Sequence, residues 1–237
     1  MRSRDVRATT AGLLFIAATA TSLIATAFLG SFLDGPGFLA AVGLHQDRLL
    51  TGALFQLIAA FTCAAIAVTL YPVLREHAPG MALGAVAFRL IEGVFYALSA
   101  AGTMILVSLS GQLTAGASAN ASADLVRDLR DSAGCVGYLA FCAGATLYYL
   151  VFYRSQLIPR WLSAWGLAGT ALGLVSGLLV LFQYIAVLSS TQVVLNLPIA
   201  VQEMVLAVWL IVKGFSPKPE AKAKAPAPPT AAELHPA

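Results

Sequence analysis

Apolar residues fill six long stretches of the chain: Ala11 to Gly30, Leu50 to Tyr71, Met81 to Leu109, Ala133 to Tyr153, Trp161 to Tyr184 and Val193 to Val212. A helix crossing a bilayer needs about 20 mostly apolar residues at about 1.5 Å of rise each, so every stretch qualifies. The breaks between them have physical causes. Asp34-Gly35-Pro36-Gly37 is turn chemistry after the first stretch. Pro72 follows the second, Pro79-Gly80 precedes the third and Pro159 opens the fifth, where proline ends or begins a helix. Asn196 with Pro198 just after it reads as an N-cap and first turn. The pattern predicts an all-α integral membrane protein, a six-transmembrane helix bundle.

Composition narrows the class further. Hydrophobic residues make up 59% of the 237 and charged residues 11%, whereas a soluble domain has roughly 45–50% and about 25%. Such a chain cannot cover a water-facing surface. A soluble enzyme, a nucleic-acid module and a disulfide-stapled secreted domain are therefore excluded, and no nucleic-acid partner is expected. The partner that composition does imply is the lipid bilayer.

Charge placement sets the orientation. Ten Lys and Arg residues fall at the N-terminus, in the second and fourth loops and on the C-terminal side. Three, Arg48, Arg127 and Arg130, fall on the other side, and Arg89 lies inside a span. The positive-inside rule then places both termini in the cytoplasm, in agreement with an even number of spans. The expected location is the cell inner membrane. The Arg-rich start and Ala25-Thr26-Ala27 also resemble a signal peptide, but the first apolar run is long enough to span. Residues 1–215 read as the membrane domain and 216–237, rich in Pro, Ala and Lys, as a disordered tail. Between the third and fourth spans, Asp124/Arg127 and Arg127/Asp131 sit at helical ion-pair spacing and predict a short surface helix.

The third span carries the chemistry. Arg89, Glu92, Tyr96, Ser99 and Thr103 are three or four residues apart and share one helix face. Charge at membrane depth costs about 2.5–3.5 kcal/mol per residue even on the lenient insertion scale, so Arg89 and Glu92 are expected to pair. Glu203 in the sixth span, beside Gln202, comes to a similar depth and could join them. One arginine cannot neutralise two carboxylates, so Glu203 is expected to hold a proton. Candidate ligand- or proton-binding residues are Arg89, Glu92, Glu203, Gln202, Tyr96, Gln56 and Asn196. No histidine lies inside a span, the three cysteines lack metal spacing and no nucleotide-binding loop is present, so neither cofactor nor metal is expected. Cys135 and Cys142 share a face with Tyr138 and read as packing residues. Gly169, Gly173 and Gly177 form a small-residue ladder, a close helix-packing face through which an oligomer or partner subunit could also assemble.

Several words of the sequence recur in a known family. They are Tyr71-Pro72-Val73-Leu74, Ala82-Leu83-Gly84 running into Phe88-Arg89-Leu90-Ile91-Glu92, Leu157-Ile158-Pro159-Arg160-Trp161-Leu162-Ser163, and Leu197-Pro198-Ile199-Ala200 through Glu203 and Trp209 to Lys213-Gly214-Phe215. Together they resemble bacterial membrane proteins catalogued as domain of unknown function 4386, across about residues 8 to 216. The resemblance implies a multi-span inner-membrane protein with Arg89, Glu92 and Glu203 in recurrent words, and it supplies neither reaction nor substrate.

Three functions fit the polar cluster. One is a protein that binds or moves a small or amphipathic molecule, or protons, through the Arg/Glu/Glu site. Another is an acid–base enzyme acting on a lipid or isoprenoid, with Glu203 as acid and Glu92 stabilising a cation, in the manner of integral-membrane terpene cyclases. The last is a structural or regulatory subunit in which the cluster only packs.

Overall fold

The computed structural model describes residues 6–30, 32–33, 35, 37–111 and 117–216. Its helices are α1 (Val6–Leu29), α2 (Phe38–Leu44), α3 (Gln46–Leu74), α4 (Pro79–Ser110), α5 (Ala117–Ser155), α6 (Arg160–Leu181) and α7 (Ser190–Val212), and no strand occurs among the described residues. Six of them, all but α2, are long and apolar enough to cross a membrane. The expected tail beyond Ser216, and Asp34 and Pro36 of the expected turn, lie outside the described residues.

The six long helices close into a ring. Each packs on its neighbour in chain order, and α1 packs on α7. Small residues make that closure possible: a Cβ added at Gly12 of α1 would lie 2.6 Å from the Ala207 carbonyl oxygen of α7. A Cβ at Gly93 of α4 would lie 3.0 Å from the Ala60 carbonyl oxygen of α3. Without a hydrophobic drive between helices in lipid, such close approaches supply van der Waals contact. α1 also buries Ala8, Ala11 and Phe15, so it is one wall of the bundle.

Helix ends differ from expectation in three places. Pro72 and Pro198 lie inside α3 and α7, because neighbouring helices and local adjustments tolerate a missing backbone donor within a membrane bundle. Asn196 is not an N-cap: α7 starts six residues earlier, at Ser190, where the Ser189 hydroxyl accepts from the Gln192 backbone N–H at 3.4 Å. The segment expected as a separate surface helix is the first part of α5. Its Ala123 is buried with Phe38, Leu39 and Val42 of α2, and Arg127 lies 4.6 Å over the Phe38 ring while pairing with Asp124 at 3.1 Å. Apolar cover from α2 makes it a cap on the bundle rather than a free helix. Arg48 serves the same end by donating to the carbonyls of Ala27 and Phe28, which α1 leaves open.

The glycine ladder of α6 is used within the chain. A Cβ at Gly169 would lie 3.0 Å from the Ile199 backbone of α7, whereas Gly173 and Gly177 face Tyr138 and Leu139 of α5. The close helix-packing face expected of the ladder is thus formed inside the chain, against α5 and α7. Past α7, Gly214 adopts φ 71°, a left-handed turn that lets Phe215 reach Phe152 at 6.0 Å between centroids.

Gly173→Leu should sharply reduce yield and thermal stability in detergent, since its Cβ would meet the Tyr138 hydroxyl at 2.6 Å. Leu174→Gly, at an exposed position, should cost only about the 1 kcal/mol of glycine's helix propensity. Equal losses in the two variants would contradict this packing.

Candidate functional site

Polar side chains inside the bundle fall into three groups. Arg89 and Glu92 form the first, on adjacent turns of α4, with 3.0 Å between guanidinium and carboxylate and both side chains 3% exposed. The glycine at 144 in α5 leaves room for the Arg89 stem, and the guanidinium lies 5.2 Å from the Phe141 ring centroid. Cys63 of α3 faces Glu92. The Arg89 Nε is buried with no hydrogen-bond partner among the described residues. Glu203 stands within electrostatic reach of Arg89 but makes no direct ion pair with it among the described residues. It accepts instead from the Tyr148 hydroxyl at 3.3 Å.

Tyrosines spaced along α5 form the second by reaching past α6 to α7. Tyr138 donates to the Asn196 amide oxygen at 2.8 Å, Tyr148 to Glu203, and Tyr149 to the Gln202 amide oxygen. Glycines in α6 open the passage: a Cβ at Gly166 would lie 2.5 Å from the Tyr149 ring, and one at Gly173 would strike Tyr138. Gln202 is wholly buried, and its amide nitrogen donates to the Leu162 carbonyl at 3.0 Å. Its hydrogen bonds thus join α5, α6 and α7, leaving it no access to a ligand.

Outward of the Arg89–Glu92 pair lies a cavity of about 350 Å³ to which all six long helices contribute, with Tyr138 in its wall. Gln56, Tyr96 and Asn196 line it, but Arg89, Glu92, Gln202 and Glu203 do not. The seven candidates therefore divide into a cavity group and a packed group. The stripe on α4 links them, since Tyr96 and Ser99 face the cavity one and two turns above Glu92. Thr103, a turn further on, accepts from Arg130 Nε at 2.9 Å.

Sequence reasoning missed Arg130 and Asp131, which line the cavity and pair at 2.5 Å. Placing them in a connector hid them. The signal was present: Asp131, Cys135, Tyr138 and Cys142 follow one another at four, three and four residues, which extends the face of the fourth span outward.

Removing one partner of a buried pair strands a charge and costs about 3–5 kcal/mol. Glu92→Gln should therefore lower thermal stability far more than Glu203→Gln. In double-mutant cycles Arg89 should couple to Glu92 by about 1–3 kcal/mol, and more weakly to Glu203. Stronger coupling to Glu203 would refute this division of the acids.

No curated protein and no solved structure matches the chain. A family profile does, over residues 10–214, from the first turns of α1 to the turn after α7. That range contains the ring, the buried pair and the cavity, and the chain belongs to the family described as Domain of unknown function (DUF4386).

Proposed function

We propose that this multi-pass membrane protein binds a small or amphipathic molecule in the cavity enclosed by its six long helices. The observation that carries the reading is a space of about 350 Å³, within the usual range of small-molecule sites, with amides and hydroxyls on its walls at membrane depth. Intramembrane polar groups are costly to maintain, which favours a ligand for those that face open space. Arg89 and Glu92 lie beneath the cavity and stiffen its floor. An acid–base enzyme draws less support, because neither Glu92 nor Glu203 lines the cavity. Packing accounts for Gln202 and Glu203, through their tyrosine partners.

Gly134 provides the test. It lines the cavity, and a Cβ there has its nearest neighbour at 3.8 Å, so Gly134→Leu fills the space without a backbone clash. Native mass spectrometry of the wild type should show a retained small molecule. Gly134→Leu should fold with equal yield and thermal stability yet lose it. Undiminished retention in the variant would overturn the cavity as the binding site.

The orientation belongs to the same proposal. With the termini in the cytoplasm, as the distribution of Lys and Arg supports, the cavity lies toward the opposite face. Reporters active only in the cytoplasm should work when fused to the C-terminus and fail when inserted near Ala119. The reverse pattern would invert the protein.

A further inference from the structure

We infer that the cavity takes a neutral, hydroxyl-headed amphiphile, bound with its head inward. This rests on the binding reading above and adds the chemical class and direction of the ligand.

Charge decides the first part. Among the described residues, Arg130 and Asp131 are the only formally charged ones on the cavity wall. They already neutralise each other at 2.5 Å, and Arg130 is further engaged by Thr103. A charged ligand would find no free counter-ion, and an uncompensated charge in a low-dielectric space is expensive. A neutral ligand avoids that cost.

Hydrogen-bond accounting decides the head group. The Gln56 side chain lines the cavity, and its amide oxygen is buried with no hydrogen-bond partner among the described residues. An unsatisfied buried acceptor costs about 1–3 kcal/mol. A hydroxyl both donates and accepts, so it satisfies the Gln56 amide in either orientation. Tyr96 and Ser99 supply further hydroxyls on the neighbouring helix.

Position decides the direction. Gln56 lies ten residues into α3, roughly 15 Å along the axis at about 1.5 Å per residue. The outer end carries apolar side chains on two sides: Leu29 ends α1 and Leu33 follows it, and Val187 and Leu188 belong to the α6–α7 link, while Arg130 and Asp131 stand there as a neutral pair. Phe182, Tyr184, Val187 and Leu188 are all exposed on that link, which continues the apolar surface outward from the rim. A hydroxyl at Gln56 and an alkyl chain past Leu33 and Leu188 match both ends.

Cys135 lines the cavity whereas Cys63 and Cys142 are buried, so peptide-resolved maleimide labelling of Cys135 reports occupancy. The full chain in phosphatidylcholine nanodiscs would be challenged with decanol, decanoate or decylamine, which share one chain and differ in charge. Decanol should slow Cys135 labelling at least about tenfold more than either charged probe. Gln56→Leu should weaken decanol protection by about fivefold, and Gln56→Glu should shift the preference to decylamine. Equal protection by a charged probe would overturn the neutral class while leaving the cavity as a binding site. Decanol protection untouched by Gln56→Leu would overturn the placement of the head. Protection by none of the three, in the wild type, would sink both this inference and the binding reading.

Discussion

A guanidinium cannot shed its proton at any accessible pH, so Arg89 brings a permanent charge into the bundle. Everything around it answers to that. Glu92 stands one turn away on the same helix, Phe141 offers the face of its ring, and the glycine at 144 leaves space for the side-chain stem. Because Arg89 sits on α4 and its cover comes from α3 and α5, the charge ties three consecutive helices at one level. A buried ion pair is weak evidence for stability but effective at fixing register, since any slip strands both charges. The levels of the tyrosine rungs and of the cavity floor follow from that register.

The second constraint is the absence of water at membrane depth. Polar side chains there must find partners in the protein. Tyr138, Tyr148 and Tyr149 meet this by spanning the gap between α5 and α7, and α6, which packs between those two helices, yields wherever a glycine removes its side chain. The small-residue stripe thus does two jobs. At Gly169 it brings backbones together, and at Gly166 and Gly173 it passes a phenol through. One pattern in sequence therefore serves two geometries.

The cavity is what remains where these demands relax. Below it, large aromatic side chains and the ion pair fill the ring. Above it, α2 and the first turns of α5 cover the bundle end, with Phe38 and Arg127 in contact. Between the two, residues such as Ser22, Ala59, Ser99 and Gly134 are too small to meet across six helices. Enclosed space of this kind needs a ring of helices, and the α1–α7 closure at Gly12 completes that ring.

Much was determined by the sequence alone. Six apolar stretches, each near bilayer length, set the number of spans, because a helix satisfies its backbone hydrogen bonds within a single segment in lipid. The spacing of Arg89, Glu92, Tyr96, Ser99 and Thr103 determined a shared face, because helix geometry is local. What that face meets was decided only by the tertiary structure. Depth matching brought Glu203 near Arg89, yet which acid pairs directly depends on where α5 places Tyr148. Asn196 looked like a cap because caps are read from neighbours in sequence, whereas its partner Tyr138 is 58 residues away. Arg130 and Asp131 looked like loop charges because helix ends are weakly encoded, and only the packing of α5 against Thr103 turned them inward. Local periodicity determined the helices and their polar faces. Long-range packing chose which of those faces enclose an empty space.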